Sequence, residues 1–277
     1  MHDCQNVASL FHSRVQQTPA TEAFRYPVEN RWESLTWQQT RDRVQDISGG
    51  LLALGLNPEE RCAILSGTCM DWILADLGIL CASGATTTIY PSNTPQECAF
   101  ILSDSGTRFV FAESDEQVAK LQQVRSEIPK VEKVIVFQGT ASQDEWVITL
   151  EQLSQKGRGQ FLSRSFEDVT KDVTKDKLAT LIYTSGTTGN PKGVELLHDC
   201  WLYESEGIAA LNLLRHDDLQ YLWLPLAHSF GKVLQMAQLR IGFATAVDGR
   251  PDKLVDNLAV IKPTFVAAVP RIFEKIY

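Results

Sequence analysis

Short apolar runs alternate with amphipathic stretches along most of the chain. The clearest helix is predicted over 36–54, where Val44, Ile47, Leu51 and Leu54 recur at spacings of three and four, one face of a 3.6-residue period. Thr36 with Gln39 fits a capping box, and Gly55 sits where a helix stops. A short apolar strand is predicted over 61–65. Helices over 70–81, 95–102 and 115–128 then alternate with strands over 86–89, 108–111 and 133–137. That alternation predicts βαβ units and a largely parallel sheet, an α/β fold.

The stretch 151–177 interrupts the rhythm. It is polar, holds Gly157 and Gly159, and repeats Asp168-Val169-Thr170-Lys171 as Asp172-Val173-Thr174-Lys175. Two copies are too few for a solenoid, so the segment reads as a surface linker with a local duplication. The expected division is a first α/β subdomain over 1–165, a linker over 166–177 and the start of a second subdomain over 178–277. In that second part, strands are predicted over 178–183, 194–197, 219–224, 243–247 and 264–269, and helices over 230–239 and 252–261. Asp199 is placed to cap a helix beginning near Cys200. A last helix is expected from Arg271. The chain stops within it at Tyr277, so a piece of a longer protein is expected.

Composition narrows the function. Of 277 residues, 44% are hydrophobic and 22% charged, ordinary values for a folded domain. Lys and Arg total 26 against 34 Asp and Glu, a net charge of −8, which argues against a nucleic-acid partner. No apolar run approaches the ~18 residues of a membrane span, and the start Met1-His2-Asp3-Cys4 lacks the basic n-region of a secretory signal. Six cysteines without Cys-x-x-Cys spacing read as reduced thiols of a cytoplasmic protein.

The strongest chemical signal is the run from Tyr183 to Val194, Tyr-Thr-Ser-Gly-Thr-Thr-Gly-Asn-Pro-Lys-Gly-Val, between two strand-like segments. Its glycines let backbone N–H groups turn toward a ligand. Thr184, Ser185, Thr187 and Thr188 supply hydroxyls, and Lys192 a mobile positive charge. Together they suit a polyphosphate. Gly-Thr-Thr-Gly alone would serve equally as a Ser/Thr/Gly hairpin turn. The spacing is not that of a Walker A loop, and no helix opens after the lysine.

The whole run resembles the phosphate-binding signature of the adenylate-forming (AMP-binding) superfamily. Ser34-Leu35-Thr36-Trp37, the stretch from Gly78-Ile79-Leu80 to Tyr90-Pro91, and Leu224-Pro225-Leu226-Ala227-His228-Ser229-Phe230-Gly231 are similar to further elements of that family. Ala246-Val247-Asp248-Gly249 and Val269-Pro270-Arg271-Ile272-Phe273-Glu274-Lys275-Ile276-Tyr277 look most like bacterial long-chain fatty-acid–CoA ligases.

The resemblance implies an N-terminal domain of largely parallel sheets, using ATP, Mg²⁺ and coenzyme A. It implies that Thr184, Ser185, Gly186, Thr187, Thr188, Gly189 and Lys192 bind the nucleotide's phosphates, that Thr188 helps hold Mg²⁺, and that His228 sits beside the acid. A lone histidine at the end of an apolar strand is more often structural; its Leu-Pro-Leu frame favours the functional role. The implied reaction is ATP-dependent adenylation of a fatty acid followed by thioester formation, with small-molecule partners and a possible peripheral contact with the inner face of a membrane. The family's Tyr-Gly-x-Thr-Glu element, ribose-binding Asp and C-terminal domain with its lysine are not in these residues, so the chain alone is expected to be inactive. Another acid–CoA ligase or adenylating enzyme and, from a different class, a non-catalytic nucleotide-binding or interaction module are the alternatives.

Overall fold

Trp37–Ala53 forms as the periodicity predicts, with Thr36 accepting from the Gln39 amide and the Gln39 side chain accepting from the Thr36 amide. The computed structural model describes residues 4–29, 31–163, 165–184 and 190–269. Its elements run α1 (Val7–Gln17), β1 (Glu22–Val28), β2 (Arg31–Thr36), α2 (Trp37–Ala53), β3 (Arg61–Leu65), α3 (Met70–Cys81), β4 (Ala85–Ile89), α4 (Pro95–Ser105), β5 (Phe109–Ser114), α5 (Asp115–Gln123), β6 (Lys133–Gln138), β7 (Val147–Thr149) and α6 (Leu150–Gly157). After these come β8 (Leu178–Thr184), β9 (Lys192–Leu197), α7 (His198–Ala210), β10 (Leu219–Leu222), α8 (Ser229–Ile241), β11 (Ala244–Val247) and α9 (Leu254–Ile261).

Seven strands form one sheet in the order β7-β6-β5-β3-β4-β8-β9, parallel throughout except for the β8/β9 hairpin. Burial on both faces follows from helices packing on each side. Alternate residues of one strand therefore serve two cores. Cys62, Ile64, Phe109, Phe111 and Ile135 pack on one face, with Trp37 and Trp72. Ala63, Leu65, Val110, Ala112, Val134 and Val136 pack on the other.

The second sheet, β10-β11-β1-β2, joins a hairpin from the start of the chain to parallel strands from near its end. Pairing thus crosses 166–177 in both directions: β4 also pairs with β8. The expected boundary between 1–165 and 178–277 does not coincide with a boundary between sheets.

Nor is 166–177 a loose surface linker. Phe166 is 2% exposed. The Asn6 side-chain amide donates to Thr170 O at 3.0 Å and Val173 O at 2.8 Å, and Ser83 Oγ donates to Val169 O at 3.0 Å. Gly157, expected to break structure, ends α6 where that helix crosses α2; a Cβ there would lie 1.8 Å from Asp46 O.

Other expectations shift by local chemistry. The helix expected over 115–128 ends at Gln123, followed by a 3₁₀ turn over Arg125–Glu127. Asp199 does not cap: α7 begins at His198, which places Asp199 in its first turn, favourable to the helix dipole. The strand expected over 264–269 reduces to a bridge between Phe265 and Gln220, with Tyr221 N–H donating to Phe265 O at 3.3 Å. The helix expected from Arg271 lies outside the described residues.

Candidate functional site

β8 climbs through buried Leu181, Ile182 and Tyr183 to exposed Thr184. β9 returns antiparallel, with Lys192 opposite Thr184 and Gly193 opposite Tyr183. Thr184 and Lys192 therefore flank the mouth of one hairpin. Ser185, Gly186, Thr187, Thr188 and Gly189 lie outside the described residues. Lys192 is exposed, and among the described residues no carboxylate pairs with it.

Tyr183 fastens this hairpin. Its hydroxyl donates to Asp104 Oδ2 on α4 at 2.6 Å. Burial and the Asp104 carboxylate both raise the phenol pKa, so the proton stays on Tyr183. A cleft of about 220 Å³ lies beside the hairpin base, lined by Thr88, Tyr90, Asn93, Glu97, Tyr183 and Pro191 among others.

His228 reaches the same end of the sheet by another route. The segment after β10 buries Leu224, Leu226 and Ala227 while leaving His228 exposed. Thr68, in the turn after β3, clasps it: its hydroxyl donates to Leu224 O at 2.8 Å and accepts from Leu226 N–H at 3.0 Å. Thr88 near the end of β4 donates to Ala227 O at 3.1 Å, and its Oγ1 also lies 3.5 Å from Leu181 O on β8. One threonine thus touches both the strand leading to Thr184 and the residue before His228. The carboxyl ends of parallel strands, where α/β folds gather ligands, hold both. His228 caps α8, its Nδ1 accepting from Phe230 N–H at 3.2 Å. In the neutral ring that places the proton on Nε2.

Beneath His228 lies a buried charge that the sequence pattern gave no reason to single out. Lys232 and Asp76 are both fully buried, with Nζ 2.5 Å from Oδ1. Asp76 also accepts from Thr86 Oγ1 at 2.8 Å and Gln235 Nε2 at 3.2 Å. The ammonium lies 5.5 Å from the ring centres of Trp72 and of Trp201. Burial lowers the Lys232 pKa, while Asp76 opposes that shift. Tyr183, Asp104, Thr68 and Thr88 also escaped prediction as site supports. The only sequence signal was the hydroxyl run Thr86-Thr87-Thr88 inside a fully buried strand.

Among the described residues no group of three or more His, Cys, Asp or Glu could hold a metal ion, and no helix is long and apolar enough to cross a membrane.

Residues 11–277 match the family described as AMP-binding enzyme. The chain belongs to that family. It is 29% identical over 282 residues to the long-chain-fatty-acid–CoA ligase FadD15 of Mycobacterium bovis, covering 100% of this chain and 45% of the relative. Its fold is that of the long-chain-fatty-acid-CoA ligase FadD1 from Archaeoglobus fulgidus, with a TM-score of 0.83 at 20% identity, over 98% of this chain and 53% of the other. The anthranilate CoA ligase AuaEII, solved with anthranoyl-AMP, gives a TM-score of 0.82 at 19% identity, over 96% and 50%. The chain therefore spans about half the length of each of these three proteins.

Proposed function

We propose that this chain is the phosphate-gripping part of a ligase that joins a long-chain fatty acid to coenzyme A using ATP. The observation that carries the reading is the meeting, through Thr88, of the Thr184–Lys192 hairpin mouth and His228. Membership of the AMP-binding family and the 29% identity to a long-chain ligase support it.

In the first half-reaction a carboxylate oxygen attacks the α-phosphorus of ATP, the bond to the β-phosphate oxygen breaks, and pyrophosphate leaves. In the second, the thiol sulfur of coenzyme A attacks the acyl carbon, and AMP leaves with the bonding electrons. Lys192, exposed and unpaired, is suited to neutralise charge on the departing pyrophosphate. Thr184 and the loop hydroxyls orient those phosphates. Among the described residues no group of three or more His, Cys, Asp or Glu could hold a metal ion; Mg²⁺ would be held with the help of a loop hydroxyl, for which we propose Thr188, and would supply charge neutralisation of the phosphates. His228, at the end of a helix anchored in the core, holds the acid's carboxylate in line for attack.

The test is a melting curve of the 277-residue chain with MgATP. At ten times the dissociation constant the nucleotide should add roughly 1.4 kcal/mol of stability, and Lys192→Ala should remove most of it. An unchanged melting temperature at saturating MgATP would sink the reading. The chain alone should form no palmitoyl-CoA from palmitate, ATP and coenzyme A.

A further inference from the structure

We infer that Asp76 and Lys232 form a positioning pair that sets His228 against the phosphate hairpin. The inference rests on the roles proposed above for the hairpin and for His228.

A lysine and an aspartate with no exposure at all are a poor way to gain stability. Desolvation of both charges offsets their attraction, and apolar residues of similar volume often serve as well or better. On this inference the pair adds geometric uniqueness here: an apolar helix face can slide or rotate with little cost, whereas a short ion pair resists both. α8 is where that matters. Lys232 lies one turn beyond His228, and its amide donates to His228 O at 3.3 Å. Fixing the Lys232 side chain therefore fixes the rotation and depth of the turn that presents the imidazole.

The anchor is shared. Asp76 on α3 takes two bonds from α8, through Lys232 and Gln235, and one from β4, through Thr86. Thr86 and Thr88 lie on one face of β4, and Thr88 bonds to Ala227 O beside His228. On the far side of the ammonium, Trp201 presents its ring to Lys232 while its Nε1 donates to Thr180 on β8 at 3.1 Å. β8 carries Thr184. One connected set of groups thus links the turn holding His228 to the strand holding the hairpin, through a charge pair that takes no part in the chemistry.

The test uses the 277-residue chain and the charge-neutral double variant Asp76→Leu/Lys232→Met, followed by amide hydrogen exchange without ligand. The double variant should melt within a few degrees of the parent. Exchange at His228 and Phe230 and at the top of β8 should accelerate by about tenfold or more, while β5 and β6 keep their rates. The imidazole NMR signal of His228, assigned with His228→Asn, should move. A role in overall stability alone would instead lower the melting temperature and raise exchange everywhere.

Thr86→Val cuts only the bond from Asp76 to β4 and keeps the ion pair. It should produce the same selective pattern at smaller amplitude, and it decides the matter if the double variant does not fold. Parental exchange rates and an unmoved imidazole signal in a folded variant would overturn the inference. Because none of these readouts needs nucleotide, a parent that ignores MgATP would refute the proposed function while leaving this result to stand or fall separately.

Discussion

Gly193 lies directly across the hairpin from Tyr183, under its ring, so that a Cβ at Gly193 would sit 3.0 Å from the Tyr183 Cζ and 3.2 Å from its hydroxyl oxygen. The glycine that follows Lys192 is therefore required by the tyrosine that precedes Thr184. A side chain there would push the ring off Asp104 and loosen both ends of the loop together.

Gly193→Ala should weaken the MgATP response while leaving the rest of the fold intact. Tyr183→Phe, which removes only the hydroxyl, should cost about 1.5–3 kcal/mol, the range for a hydrogen bond to a charged group. Urea unfolding of both variants, with and without MgATP, checks this. A Gly193→Ala chain that responds to MgATP like the parent would refute the coupling.

Gly242 should tolerate no side chain. It ends α8 at φ +95°, a conformation that L-residues rarely adopt, and a Cβ would approach Arg14 Nη1 to 2.5 Å. Arg14 is itself the cap, donating to Leu239 O at 3.0 Å and Arg240 O at 2.6 Å. Gly242→Ala should lower stability by about 1–3 kcal/mol, measured as a shift in urea midpoint. An unshifted midpoint would contradict it.

Acid should destabilise the chain through two buried histidines. Burial lowers the pKa of His12 and of His198 from 6.5 to about 4. Lys232 further lowers that of His198. Unfolded, both take up protons near 6.5, so between 6.5 and 4 the unfolded chain binds more protons than the folded one. The stability these neutral rings contribute is full above pH 6.5 and is lost as pH falls toward 4. At most it is roughly 3 kcal/mol per histidine. Urea midpoints at pH 7 and pH 5 should fall with pH, and His198→Gln should flatten about half of that slope.

His228 serves as a helix cap, and the cap can be separated from any role with substrate. His228→Ala should cost about 1 kcal/mol through loss of the bond from Phe230 N–H, and His228→Asn should restore it. In a protein spanning the full length of its relatives, both variants should lose activity, on the order of a hundredfold. An active Asn variant would reduce the imidazole to a cap.

How much of this was legible beforehand follows from where the signals are local. The helix over 36–54 announced itself because its capping box, apolar stripe and terminal glycine are all sequence neighbours. The parallel strands showed as apolar runs because both of their faces are covered. β1 and β2 did not show: Glu22, Arg25 and Pro27 interrupt any alternation, and their pairing with β11 is set by residues far along the chain. Phe166 and Gly157 misled for the same reason, each lying in a polar stretch and finding its packing partner elsewhere. At the candidate site, Thr184, Lys192 and His228 were read from contiguous motifs. Their supports, Asp76, Asp104 and Thr88, come from separate elements that only the fold brings together.

The shared four-stranded sheet also bears on how the chain is made. β1 and β2 can close as a hairpin while still near the ribosome. β1 then keeps an open edge until Ala244–Val247 emerges, a wait on the order of ten to forty seconds at about 5–20 residues per second. For that interval an unpaired strand edge is exposed on the nascent polypeptide, which makes the β1/β2 hairpin a natural client for chaperones and a place where synthesis at high concentration should lead to aggregation.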